Sequence, residues 1–286
     1  MNILSIQSHV CYGHVGNSAA AFALQRLGCE VWPVHTVAFS NHPGHGGFAG
    51  RVADPAEVES LIEGIARLGV LASCDGVLSG YLGSPETGPV VLAAVEAARK
   101  ANKAALYCCD PVIGDAGQGL YVRAGLPEFM RERALPCADI LTPNQFELEY
   151  LSGLSISTRL ELVAALARLH GLGPKTILVT SVATLETPAD AIDVVASDGR
   201  LVHCLRTPRL GRDYNGAGDL MAALFLAHYL RSRVAAAALD AAASSVFGVL
   251  RRTLETGSRE LALIEAQDEL VAPSRSFSAE VIGEVR

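Results

Sequence analysis

Lysine is nearly missing from this chain: Lys100, Lys103 and Lys175 are the only three in 286 residues. With 30 acidic against 23 basic residues the formal charge is −7. That is the wrong sign for a surface that grips nucleic acid through its phosphates. A phosphate ligand would have to be met locally, by backbone amides, arginine or a metal. The pattern G-x-x-x-x-G-K-[ST] does not occur, which excludes a P-loop enzyme. G-x-S-x-G is absent too, so Ser5, Ser8 and Ser79 sit in no nucleophile elbow. The glycines of 44–50 do not form G-x-G-x-x-G opening a helix after a strand, which argues against dinucleotide binding.

Seven cysteines, at 11, 29, 74, 108, 109, 137 and 204, make no C-x-x-C pair, and an odd number cannot all pair within one chain. Free, mostly buried thiols are expected rather than a disulfide framework or structural zinc. Long apolar runs are lacking: Ala235 to Leu250 is broken by Asp240 and Ser244-Ser245, short of the roughly 20 residues of a membrane span. Met1 to Ile6 has no basic n-region and enters a strand-like pattern at once, so the expectation is a cytoplasmic protein without membrane contact. No Pro/Ser-rich linker, charge block or repeat marks a boundary. The reading is one domain, 1–286, large enough to bury a substantial core.

What is present is an alternation of short apolar runs with longer amphipathic stretches, the pattern of βα units around a mainly parallel sheet. Strands are predicted at Asn2–Gln7, Val31–Val37, Gly76–Ser79, Ala104–Cys109, Asp139–Leu141 and Thr176–Thr180. A hairpin is predicted over 191–206, turned at Asp198-Gly199. Helices are predicted from Asn17 or Ser18 to Leu27, from Ala56 to Leu68, from the Ser84-Pro85 cap to Lys100, and near 125–133. Further helices run from the Thr142-Pro143 cap to Gly153 and from the Thr158-x-x-Glu161 capping box to His170. Everything beyond Gly216 reads as helix. Residues 38–50 carry too many glycines for a helix and too few apolar residues for a buried strand, and read as a mobile flap.

Ligands of open parallel sheets sit beyond the carboxyl ends of the strands. Polar clusters follow strands here at Ser8-His9, Ser79-Gly80-Tyr81, Asp110-Pro111 with Asp115, Thr142-Pro143-Asn144 with Glu147, and Thr180-Ser181. The sharpest feature is Asn215-Gly216-Ala217-Gly218-Asp219 ahead of a strongly helical run. Glycines at a helix N-terminus let amides converge on an anion, with the helix dipole adding to the attraction. A carboxylate beside phosphoryl oxygens repels them unless it accepts a proton, so Asp219 suits a base toward an attacking hydroxyl; the plainer alternative is an N-capping Asp. Asn144 and Glu147, three apart, share a helix face and offer hard oxygen ligands suited to Mg²⁺, or are simply solvated surface residues. Asp115 serves equally as a loop-turn residue. His9, His14, His42 and His45 match no metal spacing.

Taken together, Ser8-His9-Val10-x-Tyr12-Gly13-His14-Val15-Gly16-Asn17, Phe39-Ser40-Asn41-His42, Ser79-Gly80-Tyr81, Asp110-Pro111-Val112, Thr142-Pro143-Asn144-Gln145-Phe146-Glu147 and Gly216-Ala217-Gly218-Asp219 resemble the pyridoxal kinases. The likeness spans about residues 2–275 in order. It implies a ribokinase-like fold, a three-layer α/β/α arrangement with helices flanking a mainly parallel sheet. It also implies transfer of the ATP γ-phosphate to the 5′-hydroxyl of pyridoxal, with Mg²⁺ and often K⁺, in a homodimer. Asp219 would be the base and Gly216, Ala217 and Gly218 the anion hole. Asp110 and Glu147 would serve the metal and phosphate region. Thr142, Asn144, Thr180 and Ser181 would meet ATP phosphates or the monovalent ion, and Thr207, Pro208, Arg209 and Leu210 would border adenine. A loop of about 112–123, with Asp115 and Tyr121, would cover ATP, while Ser8, Gly44, Tyr81 and the flap at Pro43 would meet the vitamer. Relatives commonly carry Thr where this chain has Pro43, which removes a hydroxyl and an N–H from ring recognition. The neighbouring readings are a hydroxymethylpyrimidine or other vitamin-alcohol kinase, and a vitamer-binding protein without turnover.

Overall fold

The computed structural model describes residues 1–212 and 214–285. In chain order the strands are β1 (Asn2–Tyr12), β2 (Glu30–Asn41), β3 (Gly50–Val52), β4 (Cys74–Ser79), β5 (Leu106–Cys109), β6 (Gly114–Asp115), β7 (Gly119–Leu120), β8 (Ile140–Leu141), β9 (Thr176–Val182), β10 (Ala191–Ser197), β11 (Leu201–Pro208) and β12 (Glu280–Glu284). The helices are α1 (Asn17–Arg26), α2 (Pro55–Arg67), α3 (Thr87–Ala101), α4 (Leu126–Phe129), α5 (Leu135–Cys137), α6 (Gln145–Ser152), α7 (Arg159–His170), α8 (Ala217–Ser232) and α9 (Ala235–Thr256). A π-helical turn over Met130–Ala134 joins α4 to α5.

Ten strands form one sheet in the order β12-β11-β10-β9-β8-β5-β4-β1-β2-β3. From β9 through to β2 all neighbours are parallel; β10, β11 and β12 add antiparallel at one edge and β3 at the other. Both faces are covered, because successive side chains of each inner strand point to opposite sides and both sides are apolar. Leu4, Val77, Cys109, Leu141 and Ile177 pack under α2 to α7. Their neighbours Ile3, Leu78, Cys108, Ile140 and Leu178 pack under α1, α8 and α9. Helix α8 is apolar all round, every residue from Leu220 to Ala227 being buried, because it is wedged between the sheet, α1 and α9. The expected three layers are therefore present. The capping box of Thr158 and Glu161 and the hairpin turn at Asp198-Gly199 form where expected.

Four local expectations are corrected. The first residues of the 38–50 flap are strand, not loop: β2 runs to Asn41 and pairs with β3, Phe39 opposite Gly50. The alternate residues Val37 and Phe39 are buried with Val10 and Val15, a period-two signal that the surrounding glycines obscure. The flap is thus a hairpin whose tip is a 3₁₀ turn, Pro43–His45, capped by the His42 ring, which accepts from the Gly44 amide (3.1 Å).

Helix α3 starts at Thr87 with Glu86 before it, so Ser84-Pro85 forms the preceding turn rather than the cap. Helix α6 is capped by Asn144, not Thr142, and Pro143 lies outside it. The stretch beyond Gly216 is not all helical: after α9 the chain runs irregularly through a 3₁₀ turn at Gln267–Leu270 and closes the sheet edge with β12. All seven cysteines are free, four of them buried, with Cys11 exposed and Cys137 and Cys204 half-buried. Among the described residues no helix is long and apolar enough to cross a membrane.

Candidate active site

The carboxyl ends of the parallel strands deliver Ser8, Tyr81, Asp110, Thr142 and Thr180 to one edge of the sheet. Ser8 is buried beside Gly16, where a Cβ would come 2.3 Å from its hydroxyl and its carbonyl oxygen. Only glycine permits that approach, and its φ of +53° adds a second reason. Ser79 turns inward instead, its hydroxyl 2.8 Å from that of Tyr107, so within Ser79-Gly80-Tyr81 it is Tyr81 that reaches the edge. The Tyr81 carbonyl accepts from Thr36 Oγ1 (2.6 Å), and its ring lies against Val10, Val15, Val37 and Phe39 at the base of the flap. Burial pushes the Tyr81 phenol up and Arg123, from the 112–123 loop, counters it. Tyr81 thus sits at the base of the flap, within reach of the charge of Arg123.

Three carboxyl groups crowd the centre. Asp110 is buried and accepts from Thr142 Oγ1 (2.9 Å), the contact that draws Thr142 away from capping α6. Burial and the charges of Glu147 and Asp219 push Asp110 well above the usual carboxylate range, against the pull of that one hydrogen bond. Glu147, also buried, closes a capping box with Asn144: its Oε2 accepts from the Asn144 amide and Asn144 Oδ1 from the Glu147 amide, each at 2.9 Å. Its Oε1 accepts from the Ile113 amide (2.9 Å), tying the 112–123 loop to α6. Burial outweighs these amides and pushes Glu147 up to about 8. Asp219, in the first turn of α8, is pushed up by burial and drawn back by the Gly16 amide. Among the described residues no three His, Cys, Asp or Glu groups are placed to hold a metal by themselves.

Around this centre lie the remaining expected residues. Asn144 Nδ2 donates to the Gly114 carbonyl (2.8 Å), and Asn144 bridges to Thr180 in parallel register beyond the end of β8. Ser181 takes φ +55° with an exposed side chain, an uncommon backbone for a residue with a Cβ. Thr207–Leu210 leave β11 at this same edge, where Pro208 faces Ala191 and the Arg209 amide donates to the Asp190 carbonyl (2.8 Å). The 112–123 loop contains the small β6–β7 hairpin; Asp115 Oδ1 accepts from the Gly117 and Gln118 amides, the turn role weighed for it. Tyr121 is 44 % exposed, yet its hydroxyl is pushed up by partial burial and by Glu147, Asp110, Asp115 and Asp219.

The glycine turn completes the cluster. Gly216 caps α8 at φ +85° with its α-carbon against the His14 carbonyl. A Cβ on Gly218 would meet nothing within 4 Å, so no protein contact demands glycine there. Ala217 stands between them at the start of α8. Gly44, in the flap tip, faces Asn215: a Cβ on it would lie 3.3 Å from Asn215 Nδ2. Flap and glycine turn are thereby neighbours, and Pro43 lies exposed at the same tip.

Sequence reading quotes Gly16, His45 and Asn215 without giving them a role in the site, and it misses Glu260. Gly16 carried a findable signal, being the glycine just before a helix start. Glu260 carried none, for it belongs to a stretch that reads as helix and is irregular.

The family description "Phosphomethylpyrimidine kinase" matches residues 54–263. The pyridoxal kinase PdxY of Granulibacter bethesdensis is 52% identical over 285 residues, covering 98% of this chain and 100% of that protein. The pyridoxal kinase PdxY of Rubrobacter xylanophilus is 52% identical over 278 residues, covering 97% of this chain and 96% of that one. Among solved structures, pyridoxal kinase from Leishmania donovani in complex with ADP and pyridoxamine superposes with a TM-score of 0.92 at 31% identity, covering 99% of both chains. The fold is accordingly ribokinase-like. Agreement over nearly the full length, in sequence and in backbone alike, means that this chain belongs to the pyridoxal kinase family.

Proposed function

We propose that this chain is an ATP-dependent pyridoxal kinase, transferring the γ-phosphate of ATP to the 5′-hydroxyl of pyridoxal to give pyridoxal 5′-phosphate. The observation that carries the reading is the pairing of Asp219, a carboxyl group pushed up by burial, with a glycine turn whose Gly218 faces open space. A base toward an alcohol works best with its affinity for protons raised toward neutrality, and a missing Cβ beside a helix N-terminus leaves room for a phosphoryl group. The amides of Gly216, Ala217 and Gly218 would steady the charge on the transferring group, and Asp219 would take the hydroxyl proton as the oxygen attacks in line. Catalysis of this kind rests on positioning and electrostatics, without a covalent enzyme intermediate.

Ser8, Gly44, Pro43 and Tyr81 would frame the vitamer. Thr142, Asn144, Thr180 and Ser181 would meet the nucleotide phosphates, Thr207 to Leu210 would border the adenine, and the 112–123 loop would cover it. Asp110 and Glu147 fit a magnesium region: both carboxyl groups are buried, the charge of Glu147 raises the proton affinity of Asp110, and a divalent cation would relieve that repulsion. Since no three His, Cys, Asp or Glu ligands converge among the described residues, nucleotide phosphates and water would complete the ion's shell. Bound magnesium would neutralise phosphate charge during transfer. A potassium requirement, a homodimer and a cytoplasmic location belong to the same proposal.

A second reading, phosphorylation of a methylpyrimidine substrate such as hydroxymethylpyrimidine, is favoured by the description "Phosphomethylpyrimidine kinase" that matches 54–263. The names of the full-length relatives favour pyridoxal. Purified protein supplied with Mg-ATP, with and without K⁺, and with pyridoxal, pyridoxine, pyridoxamine or hydroxymethylpyrimidine separates the two. Product from pyridoxal is expected; turnover of hydroxymethylpyrimidine alone would replace the first reading, and binding without turnover would leave a vitamer-binding protein. Light scattering on the same sample tests the dimer.

A further inference from the structure

Glu260 takes no part in the chemistry above, yet it is only 6 % exposed and joins two segments that border the proposed vitamer site. It lies in the irregular stretch after α9, its backbone pinned by Ser258, whose Oγ donates to the Glu260 carbonyl (2.7 Å) and accepts from its amide (3.1 Å). Its two carboxylate oxygens are divided. Oε2 accepts from the His14 amide at 3.1 Å, and Gly13 backs onto the same carboxylate so closely that a Cβ would come within 1.9 Å of Oε2. Oε1 lies 2.5 Å from Nε2 of His45, the last residue of the flap's 3₁₀ turn. The ring of Tyr12 stands edge-on to His45, with centroids 6.0 Å apart.

Each held segment leads straight to the centre. The loop fixed at His14 places its carbonyl against Gly216 and continues to Gly16, which touches Ser8. The turn fixed at His45 sets Gly44 against Asn215, next to the glycine turn. Among the described residues, the other side-chain hydrogen bonds of the flap tip run within the hairpin, between Asn41 and the carbonyls of His42 and Gly47 and between the His42 ring and the Gly44 amide.

We propose that Glu260 is a positioning residue for the vitamer site, latching the flap in its closed register through His45 while holding the 13–16 loop that presents Gly16 to Ser8. This rests on the pyridoxal kinase reading. A buried, satisfied carboxylate with a purely structural role would lower stability without choosing between substrates. A latch acts on the flap and on the vitamer, and leaves the nucleotide side alone.

The test compares wild type with Glu260→Gln, His45→Ala and the double variant, measuring hydrogen exchange of amides 42–50 and the KM for pyridoxal and for ATP separately. Glu260→Gln keeps an acceptor for the His14 amide and weakens the pairing with His45. Flap exchange should accelerate and the pyridoxal KM rise, each by roughly tenfold, the scale of one charge-assisted hydrogen bond. The ATP KM should move less than about twofold, and the double variant should be no worse than either single one, the mark of a shared interaction. His45→Gln, which restores a side-chain donor, should recover part of the loss. Unchanged flap exchange, equal rises in both KM values, or additive single effects would overturn the latch. If wild type itself turned over no pyridoxal, the kinase reading would fall, and the exchange arm would still decide whether Glu260 holds the flap.

Discussion

The α-carbon of Gly216 faces the backbone carbonyl of His14 so closely that a Cβ there would stand 1.9 Å from the oxygen. Two residues on, a Cβ at Gly218 would meet nothing within 4 Å. One turn thus contains a glycine required by the fold and another that the fold leaves unexplained, and their alanine variants should part company. Gly218→Ala, at a helical position, should fold normally and gain up to about 1 kcal/mol. Its kcat/KM for ATP should nonetheless fall by roughly a hundredfold, because the methyl group occupies the space proposed for phosphate. Gly216→Ala should lose stability as well as activity. Thermal melts beside steady-state kinetics check both, and a fully active Gly218→Ala enzyme would remove this turn from the anion hole.

Asp219→Asn keeps shape and removes the base. Turnover with pyridoxal should drop by roughly 10²- to 10⁴-fold, the usual span for general-base catalysis. Because burial opposes ionisation of Asp219, the amide should melt no lower than wild type at neutral pH. Near-normal turnover in a folded variant would show that another group accepts the proton.

The carboxyl cluster makes the ligand-free protein sensitive to pH. Glu147 ionises at about 8 when folded, against an ordinary value of 4.5. The folded chain therefore binds more protons than the unfolded one between those values. Its contribution to stability is complete below the lower value and is lost as pH rises through the upper one. Asp110 and Asp219 act in the same direction. Melting temperature measured without ligands should fall from about pH 5 to about pH 8, and the fall should be shallower in Glu147→Gln. A profile of the same slope in both proteins would mean that Glu147 is not the group responsible. With nucleotide present, Glu147→Gln should need more Mg²⁺ for half-maximal rate.

Pro43 is exposed at the first position of the flap turn, so Pro43→Thr should alter stability little. The added hydroxyl should change the ratio of kcat/KM for pyridoxal over pyridoxine by roughly three- to thirtyfold, about what one hydrogen bond contributes. An unmoved ratio would take position 43 out of vitamer choice.

Much of this architecture is legible in the amino-acid order, because its strands and helices carry strong periodicities and their junctions carry caps. Three of the failures share a cause. Thr142-Pro143 reads as a cap and first helical residue, but Thr142 is recruited by Asp110, thirty-two positions earlier, and Asn144 caps instead. The flap reads as loop because glycine density hides the alternation of Val37 and Phe39, whose burial depends on Val10 and Val15. Asp110, Glu147 and Asp219 stand out as polar residues after strands or at helix starts, whereas their mutual crowding does not. Glu260 was invisible because its two partners, His14 and His45, lie more than two hundred residues away. Local pattern reports local structure, and in these three cases a long-range contact overrides it.

The crowding of Asp110, Glu147 and Asp219 also bears on how long each molecule survives. Ligands that bring counter-charge to that cluster bind the folded form alone and draw molecules away from unfolding, by an amount that grows with their concentration. A chain starved of such ligands unfolds more often and is exposed to proteolysis more often. The steady abundance of this protein should therefore follow the supply of what it binds, with no dedicated regulatory segment needed.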